Sequence, residues 1–317
     1  MKITLTIRTF LSFILLCVVL LPATAQIHGE EEEGEFFLGT ISPVVLEKDA
    51  TEISVVNSLS SFWIAFHEII PGFKATRIAD RSRFSRFDQL LRISHGFSKG
   101  SRWDIGADFR VVHTRLDEEA KSSPFRVLGN NSETGVSYRS LASVGLRTRI
   151  MLFKDVPELT FQMAFHYPMA KTPELRRRIG TERVQMGIMA TYLQNLNPDT
   201  YYFLQGEWNV FIANEEHNQT THLSALNGYL VFGLWQKQFF IYPGLTWVNA
   251  YQSYLNSSFK RINQQLYGGL GGQWQAGRAV GVSVFLQRPF IFVSGSQFSE
   301  WVRESYSSVT VGVRVLL

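Results

Sequence analysis

Cysteine is all but missing from this sequence. The one cysteine, Cys17, lies inside an N-terminal apolar run. Past that run there is no disulfide framework, no thiolate metal site and no cysteine nucleophile. Beyond Leu21 no stretch of about 18 apolar residues occurs, which excludes a membrane-spanning helix downstream. A charge excess is lacking too. Setting aside Lys2 and Arg8 takes the 31 Lys and Arg to 29, against 27 Asp and Glu. Such a balance gives nucleic acid nothing to bind. The seven histidines are scattered, and no strand face gathers ligands at metal spacing, so neither a metal nor a cofactor is expected.

What is present begins with "MKITLTIRTFLSFILLCVVLLPATAQ". Lys2 and Arg8 make a basic n-region, Phe10 to Leu21 an apolar h-region, and Ala23-Thr24-Ala25 a small-residue cleavage site, the three parts of an export signal. Cys17 follows Leu16 in mid-run, whereas a lipidated cysteine would follow a small residue at its end. The expected organisation is a signal peptide over 1–25, a periplasmic segment over 26–50 carrying the acidic run Glu30 to Glu33, and one domain over 51–317.

That domain alternates. In the last ten residues, "SVTVGVRVLL", Val309, Val311, Val313, Val315 and Leu317 share one face of a β-strand. The same period recurs in twelve segments, near 52–66, 82–98, 102–116, 138–153, 158–168, 183–195, 200–213, 222–236, 238–252, 262–275, 279–293 and 305–317. A soluble sandwich and a membrane barrel both produce such a pattern, and the connections choose between them. Short turns near 99–102, 154–158, 195–200, 236–238 and 276–278 alternate strictly with longer polar loops. A barrel with both termini in the periplasm needs that parity and an even strand number, whereas a sandwich does not. Phe97, Trp103, Tyr202, Phe239 and Trp274 gather near the short turns, where amphipathic rings form a girdle at the headgroups. The expected fold is all-β: a closed antiparallel transmembrane barrel of about twelve strands in the outer membrane of a Gram-negative cell. Closure pairs the last strand with the first, because lipid satisfies no free strand edge.

Opposite the lipid face lie Arg86, Arg92, Asp104, Asp108, Arg110, Arg147, Arg149, Glu207 and Arg314, the charges expected to line the lumen. Folding about Gly100 sets Arg92 across from Asp108. Two roles fit such a lining: a pore that selects or orients a polar solute, and a salt-bridge network that fills the lumen. Gly268, Gly269, Gly271 and Gly272 mark one strand as a curvature point or, less commonly, as a site of close approach. Arg176, Arg177 and Arg178 form a basic cluster in an outer loop, able to meet lipopolysaccharide phosphates or simply solvated.

One motif could carry catalysis. His222 and Ser224 share the lipid-facing parity of Leu226 and Leu230, and a His beside a Ser hydroxyl is the core of acyl transfer. Here the chain resembles the outer-membrane phospholipase A family, in which His, Ser and Asn hydrolyse lipid esters. That family runs from Ser directly into Asn-Gly. In this chain Ala225 and Leu226 intervene, which turns Asn227 inward. The third group of a triad has no evident place, so no residue is assigned as catalytic, and lipid acyl hydrolysis by His222 and Ser224 stays a minor alternative.

The stretches "SSPFRVL" (Ser122 to Leu128) and "LEKDATEISVVNSL" (Leu46 to Leu59) resemble an uncharacterised group of Bacteroidota outer-membrane barrels described as transporter-like. The resemblance implies fold, compartment and lineage, and supplies no substrate or site residue. The favoured function is passive passage of a small solute, with outer-membrane lipid and lipopolysaccharide as the surrounding partners. The alternative is a plugged barrel whose outer loops bind or support the envelope.

Overall fold

Alternation along the chain yields a single antiparallel sheet that closes on itself. The computed structural model describes residues 45–64, 82–100, 102–119, 121–129, 135–214, 219–254, 260–277, 279–294 and 306–317. The strands are β1 (Thr51–Ile64), β2 (Ser82–Gly96), β3 (Trp103–Asp117), β4 (Gly135–Ile150), β5 (Leu159–Pro168) and β6 (Gln185–Asn197). Then come β7 (Thr200–Phe211), β8 (Gln219–Leu234), β9 (Phe239–Tyr254), β10 (Lys260–Ala276), β11 (Val280–Ser294) and β12 (Ser307–Leu316). All twelve expected strands occur, and none of their ends moves by more than three residues. Each strand pairs with its sequence neighbours, and β12 returns to β1 from Glu52↔Leu316 to Ser61↔Ser307. Every strand therefore has two neighbours, as a bilayer requires.

The outer face is apolar and open. Leu146, Ile188, Leu245 and Leu286 project from it, and Leu146 is 64% exposed. No helix among the described residues is long and apolar enough to cross a membrane. At the short-turn end Phe97 stacks on Trp103 at 5.4 Å, and Trp235 meets Phe239 edge-on at 5.0 Å. This is the aromatic girdle expected at one headgroup level.

Two long connections fold back on the wall. Between β5 and β6, α1 (Pro173–Ile179) starts at Thr172, whose Oγ1 accepts from Leu175 N at 3.2 Å. It stops at Gly180, which sits at φ 66° in the left-handed region that glycine adopts without a Cβ clash. Its apolar side rests on the inner wall, where Ile179 and Ala170 pack with Val112 and Ala142. Ala142 is spare in the ladder: Arg110 pairs with Ser143 but Val111 with Leu141. The resulting bulge turns Ala142 in under the helix. Between β3 and β4, a 3-10 turn over Pro124–Leu128 begins at Ser123, whose side chain accepts from Phe125 N. It packs against β1, β2 and β3. Ser61, Ser85, Arg115 and Asp117 are buried there although their parity is that of the outer face. That segment therefore lies outside the barrel, while α1 lies within.

Glycines make room for rings inside. A Cβ on Gly271 would overlap the Tyr242 ring, one on Gly269 the Phe285 ring, and one on Gly244 the Tyr229 ring. The Gly-rich strand is therefore a site of close approach by the chain's own aromatic side chains.

Candidate functional site

Inward positions at the short-turn end carry charge on one side of the barrel and aromatic rings on the other. Asp104 of β3 receives Arg149 Nε of β4 at 2.9 Å, and Arg149 Nη1 stands 3.6 Å from Glu52 of β1. Glu52 also takes Arg314 Nε of β12 at 2.9 Å, which closes the seam between first and last strands. One level higher, Asp108 holds Arg92 and Arg147, each at 3.7 Å, and His166 Nε2 at 3.1 Å. Arg92 does sit across from Asp108, as the turn at Gly100 requires. On the other side, Phe203, Tyr229, Val231, Phe240 and Tyr242 form a buried cluster backed by Leu193, Tyr201 and Phe285.

These two halves fill the lumen at that level. Asp104 has no exposure, Asp108 1%, Arg149 2% and Glu52 3%. Ions this dry need close partners, because the desolvation penalty is several kcal/mol per charge. The end of the segment expected in the periplasm completes the floor. Val45 and Leu46 are buried, and Leu46 N donates to Asp104 Oδ2 at 3.0 Å. Val45 and Leu46 thus reach into the barrel, held by their two apolar side chains and one carboxylate, while Glu47, Lys48 and Asp49 stay exposed.

Above the floor is a cavity of about 460 Å³. Arg92, Asp108, Asp88, Arg110, Gln162, His166, Gln185, Glu207 and Asn209 give it a polar wall, with Leu90 and Met189 as apolar patches. Asp88 accepts from Arg110 Nε at 2.7 Å and from Arg86 Nε at 3.2 Å. Arg86 Nη1 also donates to Ile179 O at 2.9 Å, and Thr114 Oγ1 to Arg178 O at 3.1 Å, which fastens α1 to the wall of the mouth. A second cavity of about 250 Å³, lined by Gly180, Glu182, Arg183 and Phe211, lies beside that helix.

All nine charges expected in the lumen point into it. They form two groups: Arg92, Asp104, Asp108, Arg147, Arg149 and Arg314 in the floor, and Arg86, Arg110 and Glu207 in the wall above. Arg176, Arg177 and Arg178 occupy the expected loop, on its helix. Arg176 Nε donates to Ala170 O at 2.7 Å, Arg177 faces Glu182 at 3.4 Å, and Arg178 lies over the Tyr138 ring at 5.5 Å. The helix places them on the lumen side of the rim, away from its membrane side. Three features have weak signals in the sequence. Glu52 is hidden by apolar neighbours on both faces of β1. Val45 and Leu46 precede any alternation. The inner aromatics show only as Tyr229 and Val231 sharing the parity of Asn227.

His222 projects outward, as its parity requires. Its Nε2 lies 3.2 Å from Ser253 Oγ of β9, and its ring meets Trp208 at 5.7 Å. Ser224 pairs instead with Trp208 and Asn249. Asn227 turns inward and donates to Glu207 at 3.4 Å.

No protein-family model matches the chain, and no curated protein does. Among solved structures it is similar to an outer membrane channel from Pseudomonas putida F1. That likeness has a TM-score of 0.59 at 12% identity, covering 89% of this chain and 100% of that one. It is also similar to the beta domain of the Bordetella autotransporter BrkA, with a TM-score of 0.52 at 11% identity, covering 84% and 99%. Both likenesses are of fold: a closed outer-membrane barrel.

Proposed function

We propose that the protein is an outer-membrane channel or transporter that admits a small polar solute through its long-loop mouth. The observation that carries this reading is the polar-lined cavity of about 460 Å³ in mid-barrel, inside a ring whose outer face is apolar. The volume is in the small-ligand range of roughly 300–1,000 Å³. The channel from Pseudomonas putida F1, which shares the fold, is in keeping with it. A cleaved leader over residues 1–25 delivers the chain to the periplasm. The floor is then the closed element of the path, and a solute crosses only when Val45, Leu46 and the charged layer part. No catalysis is assigned to His222 and Ser224.

Single-channel recording of residues 26–317 in a planar bilayer tests this, beside a variant lacking 26–50. The full chain should give rare or small steps, and the shortened one larger and steadier steps with a preference for one ion sign. Silence from both, in protein shown to be folded by heat-shifted gel mobility, would overturn the reading. The dryness of the floor favours a second one in that event, a closed barrel whose outer loops do the work.

A further inference from the structure

Two charges in the cavity wall are treated differently from the others. Asp88 is taken by Arg110 and Arg86, and Asp108 by His166, Arg92 and Arg147. Glu207 has no cation within ion-pair distance among the described residues. Its partners are amides: Gln205 Nε2, Asn209 Nδ2 at 3.5 Å and Asn227 Nδ2 at 3.4 Å. Arg92 is short of partners in the opposite sense. Its nearest carboxylate oxygen is 3.7 Å away, and its Nε and Nη1 make no hydrogen bond among the described residues. Arg92 rises from β2 and Glu207 from β7, on opposite walls of the ring. The guanidinium acts on the carboxylate through space, with the cavity between them.

We propose that this cavity binds a small zwitterion, an α-amino acid or short peptide, with its ammonium on Glu207 and its carboxylate on Arg92. The inference rests on the solute-uptake reading and names the solute class. A neutral solute would leave both charges as they stand, and a simple cation would answer Glu207 alone. A molecule with both ends supplies each group with the close countercharge that it lacks. The amides of Gln162, Gln185 and Asn209 suit a backbone, and Leu90 and Met189 a small apolar side chain.

The test is equilibrium binding by calorimetry to refolded residues 26–317 in detergent. The probes are alanine, leucine and dialanine, with N-acetyl dialanine, dialanine amide and maltose for comparison. At least one free zwitterion should bind, and blocking either end should weaken binding about tenfold or more, the loss expected for one hydrogen bond to a charged group. Glu207→Gln should remove the preference for the free amine only, and Arg92→Met the preference for the carboxylate only. Because the blocked ligands use unaltered protein, a variant that fails to fold leaves the result standing. Equal binding of free and blocked forms, tighter binding of maltose, or no binding at all would overturn the assignment. Conductance on the same preparation keeps the two readings apart. A conducting barrel without end preference refutes the zwitterion alone, and end-specific binding in a barrel silent with and without 26–50 refutes the channel alone.

Discussion

Replacing Arg149 by methionine keeps the reach of the side chain and withdraws its charge from the floor. Asp104 then loses the guanidinium 2.9 Å away, and Glu52 the one at 3.6 Å. Removing one member of a buried ion pair costs about 3–5 kcal/mol, because the remaining charge stays dry and unanswered. Two contacts soften the loss. Leu46 N still donates to Asp104 at 3.0 Å, and Arg314 still holds Glu52 at 2.9 Å. The expected cost is therefore near the lower end, about 3 kcal/mol. Urea unfolding of the barrel in lipid vesicles, followed by tryptophan fluorescence, reads it. The double variant with Asp104→Asn should recover most of that loss, since it removes the stranded charge and keeps an acceptor for Leu46. A cost below about 1 kcal/mol, the range of solvated pairs, would refute the reasoning. So would simple additivity of the two substitutions. Either result would mean that water reaches the layer and that the floor does not seal.

The glycines and the mouth helix give sharper local tests. Gly271→Ala and Gly244→Ala should each lower stability by about 1–3 kcal/mol, since the new methyl meets the Tyr242 or Tyr229 ring. Gly272→Ala, whose Cβ would find its nearest atom at 3.9 Å, should leave the urea midpoint in place. Equal effects at Gly271 and Gly272 would show that general strand propensity, not ring packing, selects glycine here. Arg86→Met removes the donor to Ile179 O. Trypsin should then cut after Arg176, Arg177 or Arg178 several-fold faster in the folded barrel, and an unchanged rate would show that apolar packing alone holds α1.

The wall was readable from the sequence because the bilayer imposes a period of two on it. Val309 to Val315 had to share a face, and every strand had to have two neighbours, so β12 had to find β1. Parity also sent Asp104, Arg147 and Arg149 inward, and the short turn at Gly100 determined that Arg92 meets Asp108. What parity cannot tell is how far across the lumen an inward side chain reaches. Tyr242 and Phe285 alternate like any other lumen residue, and only the glycines opposite them betray rings that cross the interior. Val45 and Leu46 were out of reach for a different reason. A plug segment has no repeat of its own, and its place comes from Asp104, nearly 60 residues downstream. The basic run on α1 is legible in the sequence as part of a long connection. Its inward tilt depends on Ala142, a bulge that leaves no mark in composition.

The contact between Arg314 and Glu52 spans 262 residues of chain. Closing so long a loop is entropically slow, and its reward arrives only with the last strand. Until β12 is delivered, Glu52 faces the interior without its nearest cation, and β1 and β11 both present bare edges. Assembly thus has a terminal step that no earlier portion of the chain can rehearse. A chain cut short by ten residues would be an open sheet, exposed to aggregation and to the proteases of the envelope, and not a slightly weaker barrel. The same ion pair that dries the floor therefore also marks closure: the ring shuts only when β12 is in place.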